Sequence, residues 1–261
     1  MKKDTETVPD QRPATLDDET RNKLRSVSTA TLTTLLLKRG FDNTYMIGVH
    51  PAGGSKRRMV GQAYTMRYIP SRPDLGNIFQ RDNRKDLQRV AVESIPPGDV
   101  LVIDSRGNAE SASCGEILMM RMMVRGVEGV VTDGGYRDSP SIAELDIPAF
   151  HKTPSAPPVM VKHHPAEIGC AIACGGVAVF PGDVIVGDGE GVVVIPEALA
   201  AEIAEEAVAK EAVEEYIAQC VLAGEPIVDI YPPTPEVQER FDRWIAAGKP
   251  AVPPFSGETA P

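Results

Sequence analysis

Cys114-Gly115-Glu116-Ile117-Leu118 and Asp133-Gly134-Gly135-Tyr136-Arg137-Asp138 bracket the stretch that decides the fold. Between them lie a Met-rich segment ending at Arg125-Gly126 and a Val-rich one, Val127 to Asp133. The first predicts a helix from Gly115 to about Arg125, closed by Gly126. The second predicts a strand covered on both faces. Upstream, Val100-Leu101-Val102-Ile103-Asp104 is another continuous apolar run, set off by the turn Pro96-Pro97-Gly98-Asp99. Downstream, Ser139-Pro140 opens a short helix and Ile147 to Phe150 a further strand. Gly134-Gly135 is read as a turn of the chain. Strand, helix, strand, helix, strand is the order of parallel βαβ units.

Working outward, residues 1–20 are polar and read as a tail. A helix follows to Gly40, with Ser28 as N-cap and Leu32, Leu35 and Leu36 at helical spacing. Lys56-Arg57-Arg58 reads as a solvated loop, Val60 to Met66 as a strand, and Asn77 to Glu93 as a helix with a charged centre. Past the βαβ half, Val177 to Phe180, Val184 to Val186 and Val192 to Ile195 predict short antiparallel strands. Glu197 to about Ala223 predicts a long helix whose apolar stripe includes Leu199, Ile203, Ala207, Val208, Ala212, Tyr216 and Cys220. The domain so outlined spans 21–225. The 226–261 extension carries Phe241, Trp244 and Ile245, which predicts packing on the core or on a neighbouring subunit.

The chain has 261 residues and a formal net charge of −10, with a pI of about 5.0. That balance disfavours nucleic acid and anionic membrane as partners. No apolar run is long enough to span a membrane, and the first residues lead into no secretory h-region. Cys114, Cys170, Cys174 and Cys220 form no CxxC pair and are read as reduced and buried, in a cytoplasmic protein.

The chemistry gathers in the bracketing stretch. Strands ending at Asp104 and Asp133 deliver their loops to one sheet edge, where ligands of such sheets bind. Helix N-termini near Gly115 and Ser139 favour an anion. Arg137 is a permanent cation with a fork suited to a carboxylate or enolate. Asp138 is the hard oxygen ligand that magnesium prefers, with Glu116 positioned to hold metal-bound water. A surface ion pair and a plain helix cap are the bland alternatives for these residues. His163-His164-Pro165 lacks an acidic partner at metal spacing and reads as solvent-facing or structural. Asp183, Asp188 and Glu190 read as hairpin-turn residues.

Gly115-Glu116-Ile117-Leu118 followed by Asp133-Gly134-Gly135-Tyr136-Arg137-Asp138 resembles the RraA-like family. Gly61-x-Ala63-x-Thr65, Pro97-Gly98-Asp99-Val100, Pro181-Gly182-Asp183 and Gly187 to Val193 follow in the same order, from about Ser26 to Gly224. The resemblance implies a mixed α/β domain with a parallel βαβ half and an antiparallel β half. That family holds class II 4-hydroxy-4-methyl-2-oxoglutarate aldolases and non-catalytic ribonuclease regulators. For an aldolase it implies pyruvyl binding by Gly115, Glu116, Ile117 and Leu118, enolate stabilisation by Arg137, and a magnesium or manganese ion on Asp138. Glu116 and a neighbouring subunit's Glu211 would hold metal waters, with Glu214 and Glu215 as competitors for that last role. Oxaloacetate decarboxylation would follow from the same enolate. The resemblance further implies a trimer or a dimer of trimers with sites between subunits. One position departs from the aldolase pattern: Ser141 stands where an acid is usual, with Glu144 one turn on. The alternative reading is a protein-binding regulator of a ribonuclease. No glycine-rich loop follows the first strand to hold a methyl donor.

Overall fold

The computed structural model describes residues 15–53, 57–75 and 82–255. Helix α1 (Asp18–Ser26) starts on Asp17, whose carboxylate accepts from the Thr20 N–H. The polar start therefore ends earlier than residue 20. Leu16 is already buried, and its N–H donates to Gln62. Helix α2 (Thr29–Lys38) begins after Ser28, the expected cap, and closes at Gly40 with a φ of 84°.

Strands β1 (His50–Pro51) and β2 (Met59–Pro70) follow, β2 extending well beyond the expected Val60 to Met66. The basic run between them is not simply solvated. Arg57 and Arg25 both reach the buried carboxylate of Glu128, at 2.8 and 2.9 Å. Two cations there offset the desolvation of one buried charge. Lys56 lies outside the described residues. Helix α3 (Leu87–Ser94) covers only the end of the helix expected over 77–93. Asp86 caps it, accepting from the Arg89 N–H at 3.3 Å, so the charged centre lies before the helix. Of that expected helix, residues 77–81 lie outside the described residues.

Then come β3 (Val100–Asp104), β4 (Ala112–Cys114), α4 (Glu116–Val124), β5 (Gly129–Thr132), β6 (Gly135–Tyr136), α5 (Ser139–Ile142) and β7 (Ala149–His151). Strands β2, β3, β5 and β7 run parallel in the order β7-β5-β3-β2. The two-faced burial inferred from the apolar runs is visible residue by residue. Leu101, Ile103 and Val130 join α3, α4 and α5 in one core, while Val100, Val102 and Val131 join a second core on the other face.

β8 (Thr153–Pro154) pairs in parallel with β6, and the antiparallel half comprises β9 (His163–Ile168), β10 (Ile172–Cys174), β11 (Val177–Val179), β12 (Val184–Gly187) and β13 (Val192–Ile195). β12 pairs antiparallel with both β2 and β13, and β9 with the far end of β2. Long β2 thus joins the two halves into one eight-stranded sheet. Gly61 lies where β2 crosses the Gly98 turn. A Cβ there would stand 2.5 Å from the Gly98 carbonyl oxygen, a backbone atom that cannot rotate away. Gly61→Ala is expected to cost about 1–3 kcal/mol, read as a lower urea midpoint at unchanged slope.

Helix α6 (Ala200–Leu222), entered by a 3-10 turn at Glu197–Leu199, packs with α1 and α2 on β12 and β13. Val208 is exposed rather than part of the buried stripe, which passes through Ile203, Ala204 and Ala207. The chain continues through α7 (Ile227–Ile230) and α8 (Pro235–Ala246). Ile230, Val237 and Trp244 bury against Tyr216, Ile217 and Cys220 of α6. The extension therefore packs on its own chain. Among the described residues, no helix is long and apolar enough to cross a membrane.

Candidate functional site

A three-stranded parallel sheet, β4-β6-β8, sits beyond the C-terminal ends of the main parallel strands and builds the site. β4 delivers Gly115 and β6 delivers Arg137, and the Arg137 N–H donates to the Cys114 carbonyl at 3.0 Å. Gly134 lies in the bend between β5 and β6, as the expected turn of the chain, and Gly135 opens β6; both also belong to this packing. A Cβ on Gly134 would lie 2.4 Å from Ser113 Oγ, and one on Gly135 would lie 2.6 Å from Ser155 Cβ. Both glycines serve close approach of neighbouring strands.

The ends of the decisive stretch meet here. A Cβ on Gly115 would stand 2.9 Å from Arg137 Cγ and 3.1 Å from Asp138 Oδ2. Arg137 Nε lies 3.3 Å from that same carboxylate oxygen. Asp138 has a φ of 58°, a conformation that costs free energy in a non-glycine residue, and its side chain caps nothing in α5. The ion pair of Arg137 with Asp138 and the N-cap position of Gly115, the two bland readings, are both present in the structure. Gly115 is the N-cap of α4 and provides no side-chain cap, so the helix geometry leaves first-turn N–H groups without intrahelical partners. Glu116 and Leu118 are half-buried and Ile117 is 77% exposed. Cation, carboxylate and helix N-terminus thus share one open shelf, with Arg137 and Asp138 44% and 41% exposed.

A metal fits this shelf only in one style. Among the described residues no group of three His, Cys, Asp or Glu side chains converges as a metal cage. Asp138 Oδ2 would lie 3.1 Å from a Cβ on Gly115, the residue before Glu116, and a lone carboxylate of this kind suits an ion that keeps most of its water, as magnesium does.

Residues 17–194 match the family model described as RraA-like, Aldolase/RraA. The chain belongs to the RraA-like family. A protein of Halalkalibacterium halodurans named a putative 4-hydroxy-4-methyl-2-oxoglutarate aldolase is 37% identical over 41% of this chain and 50% of its own length. The chain thus aligns with half of that relative. An uncharacterised protein of Methanocaldococcus jannaschii is 31% identical over 70% of this chain and 82% of its own. The crystal structure of Streptomyces coelicolor RraAS2, described as an unusual member of the RNase ES inhibitor RraA family, superposes with a TM-score of 0.70 at 30% identity, covering 80% of this chain and 99% of that one. The mixed parallel and antiparallel architecture is that of these RraA-like neighbours.

Within this RraA-like fold the remaining expected residues fall in distinct places. Glu211 accepts from the Ser28 N–H at 2.5 Å, closing the start of α2 within its own chain. Lys210 pairs with Glu214, and Glu215 with Lys249. Asp188 is more than a turn residue, since it accepts from both the N–H and hydroxyl of Thr29 at 2.9 Å. Asp183 accepts from the Phe180 N–H. Ser141 and Glu144 form the end of the α5 turn, joined by the Glu144 N–H to Ser141 carbonyl bond. All four cysteines are free. Cys170 is only partly buried, against expectation. Burial pushes the Cys114 thiol beside the site up to about 12, so it is no nucleophile at neutral pH.

Two acids named from the sequence only as strand ends, Asp104 and Asp133, are buried. Asp133 accepts from the N–H groups of Ser105 and Gly107, at 2.7 and 2.8 Å, and Asp104 from that of Arg106. They hold the turn between β3 and β4, and burial raises the Asp133 pKa. The available signal was an acid ending each of two continuous apolar runs.

His163 is structural. It is fully buried and stacked on Tyr68 at 5.3 Å. Its Nδ1 lies 3.0 Å from Arg106 Nη2, a pure donor, and its Nε2 3.2 Å from the Ser111 carbonyl, a pure acceptor. These partners select the neutral Nε2–H tautomer. Desolvation first, with the Arg106 charge a further cause, lowers its pKa from the ordinary 6.5. Burial also lowers that of His151. Both groups bind a proton more readily when unfolded, so their contribution is complete above pH 6.5 and is lost as pH falls toward the folded values. Each contributes a slope of up to about 1.4 kcal/mol per pH unit. His163→Gln is expected to flatten the fall in urea midpoint between neutral pH and the mildly acidic range.

Proposed function

We propose that the chain is a divalent-metal-dependent lyase that cleaves a 4-hydroxy-2-oxo acid by retro-aldol reaction to pyruvate and a carbonyl product. The observation that carries this reading is the meeting of Gly115, Arg137 and Asp138 at the open N-terminus of α4. The putative-aldolase name of the Halalkalibacterium relative supports it at the level of reaction class.

In this reading the substrate carboxylate meets the first-turn N–H groups of Glu116, Ile117 and Leu118, and the 2-oxo oxygen faces the Arg137 guanidinium. The 4-hydroxyl gives up its proton and the C3–C4 bond breaks. Its electron pair stays on the pyruvyl fragment as an enolate, which Arg137 stabilises. Protonation at C3 then yields pyruvate. Glu116, with Glu211 of a neighbouring copy, would hold the water that takes up and returns this proton. A magnesium or manganese ion held by Asp138 would supply Lewis-acid stabilisation of the same enolate. Oxaloacetate would lose carbon dioxide through the same enolate.

The shelf is open in one chain, and beside it the α4 residues Ile117, Met120 and Val124 form an exposed apolar row. That row fits a contact with another copy in a trimer or a dimer of trimers, which would close the site. The same row, with the structural likeness to RraAS2, is also what a ribonuclease-binding regulator would present. Pyruvate release from 4-hydroxy-4-methyl-2-oxoglutarate and from oxaloacetate, with magnesium and with EDTA, separates the readings. Release that EDTA abolishes is the expected result. Neither release nor metal binding, together with capture of a ribonuclease, would leave the regulator.

A further inference from the structure

A cleft of about 580 Å³ lies between the family core and the C-terminal extension. The α2 residues Thr34 and Lys38 and the α6 residues Ala209 and Val213 line one side, and Tyr231, Pro233 and Phe241 line the other. The second wall lies wholly beyond residue 194, where the family match ends. Neither Arg137 nor Asp138 borders the cleft. Its volume falls in the range of small-molecule sites, and the charged residues Lys38, Glu206, Lys210 and Glu214 share the lining with its apolar side chains.

The two cations and two acids of the lining are unevenly engaged. Glu206 is held by Arg39 at 2.6 Å, and Glu214 is paired with Lys210 and accepts from the Tyr231 hydroxyl at 3.4 Å. Both acids are therefore committed. Lys38 is 61% exposed, and its carboxylate contact with Glu206 is a loose 3.8 Å. An apolar slot with one loosely held cation at its rim complements a small ligand with an apolar tail and one negative end. We propose that this cleft is a second ligand site, distinct from the Arg137–Asp138 shelf, for an aryl- or alkyl-substituted monocarboxylate.

Trp244 is the chain's single tryptophan. It lies against Phe241 of the cleft wall, with ring centroids 6.3 Å apart, and is used as the probe through that contact. The test titrates the full chain with 4-phenylbutyrate, and in parallel with the uncharged 4-phenylbutanol, following Trp244 fluorescence. Saturable binding of the acid in about the millimolar range or tighter is expected from its size. Ala209→Phe fills the cleft from an exposed helix position and is expected to abolish saturation, with circular dichroism confirming its fold. Lys38→Gln is expected to weaken the acid about two- to fivefold, the size of a rim charge contact, and to leave the alcohol unaffected. Arg137→Ala is expected to bind the acid as the unaltered chain does. A response that does not saturate, or one that Ala209→Phe leaves unchanged, overturns the site. Equal binding of alcohol and acid overturns the carboxylate preference. A change in sedimentation of Ala209→Phe would give the cleft to a second copy of the chain and likewise overturn the ligand site.

Discussion

Arg137→Ala is expected to lower kcat/KM for pyruvate release by about 100- to 1000-fold, the usual cost of removing a group that stabilises developing negative charge. The loss falls on kcat as well as KM, because the enolate carries more charge on oxygen than the ground-state ketone. Folding is expected to change little. The guanidinium is 44% exposed and its ion pair with Asp138 is a surface pair worth roughly 0–1 kcal/mol. Arg137→Lys keeps the charge but loses the planar fork, so partial activity is expected there. Steady-state kinetics with saturating magnesium, beside a urea melt of each variant, makes the measurement. Metal-replete Arg137→Ala with normal turnover would sink the lyase reading.

Gly115→Ala is expected to cost about 100-fold in turnover with only a small change in stability. The backbone at Gly115, φ −135° and ψ 173°, is open to any residue, so the demand is for space rather than conformation. The added Cβ would stand 2.9 Å from Arg137 Cγ and 3.1 Å from Asp138 Oδ2. Both are side-chain atoms near the surface and can yield, which spares the fold but displaces the cation and the carboxylate together. A displacement of about 1 Å in a positioning group is enough for a 100-fold loss. Replacing an N-cap glycine by alanine adds a cost of order 1 kcal/mol or less. Turnover within twofold of the unaltered chain, at a matched urea midpoint, would show that Gly115 does not set the position of Arg137.

Much of the scaffold was legible because it rests on local patterns. Val100 to Ile103 announces a buried strand by unbroken apolar character and Val127 to Asp133 by its valines; β3 and the shorter β5, Gly129–Thr132, are both covered on two faces. Ser28 and Gly40 mark the ends of α2 by capping chemistry. Elsewhere local pattern misled. Leu16, set among polar residues, is buried through contacts made far along the chain. Arg57 looks like part of a solvated basic run, yet Glu128 holds it from another element.

Of the site, adjacency in the chain gave Arg137 beside Asp138, and residue chemistry with the family resemblance suggested the roles proposed for them. By itself the sequence determined the βαβ order, the two-faced burial of its strands, and the residue types at their ends. Tertiary structure alone decided that Gly115 meets Arg137, that Gly134 and Gly135 serve strand packing, and that Glu211 closes α2 in its own chain. It also decided that the extension makes a cleft with α2 and α6. The reason is physical. Strands of two or three residues, such as β4, β6 and β8, carry no readable period, and their pairing free energy comes from partners distant in sequence.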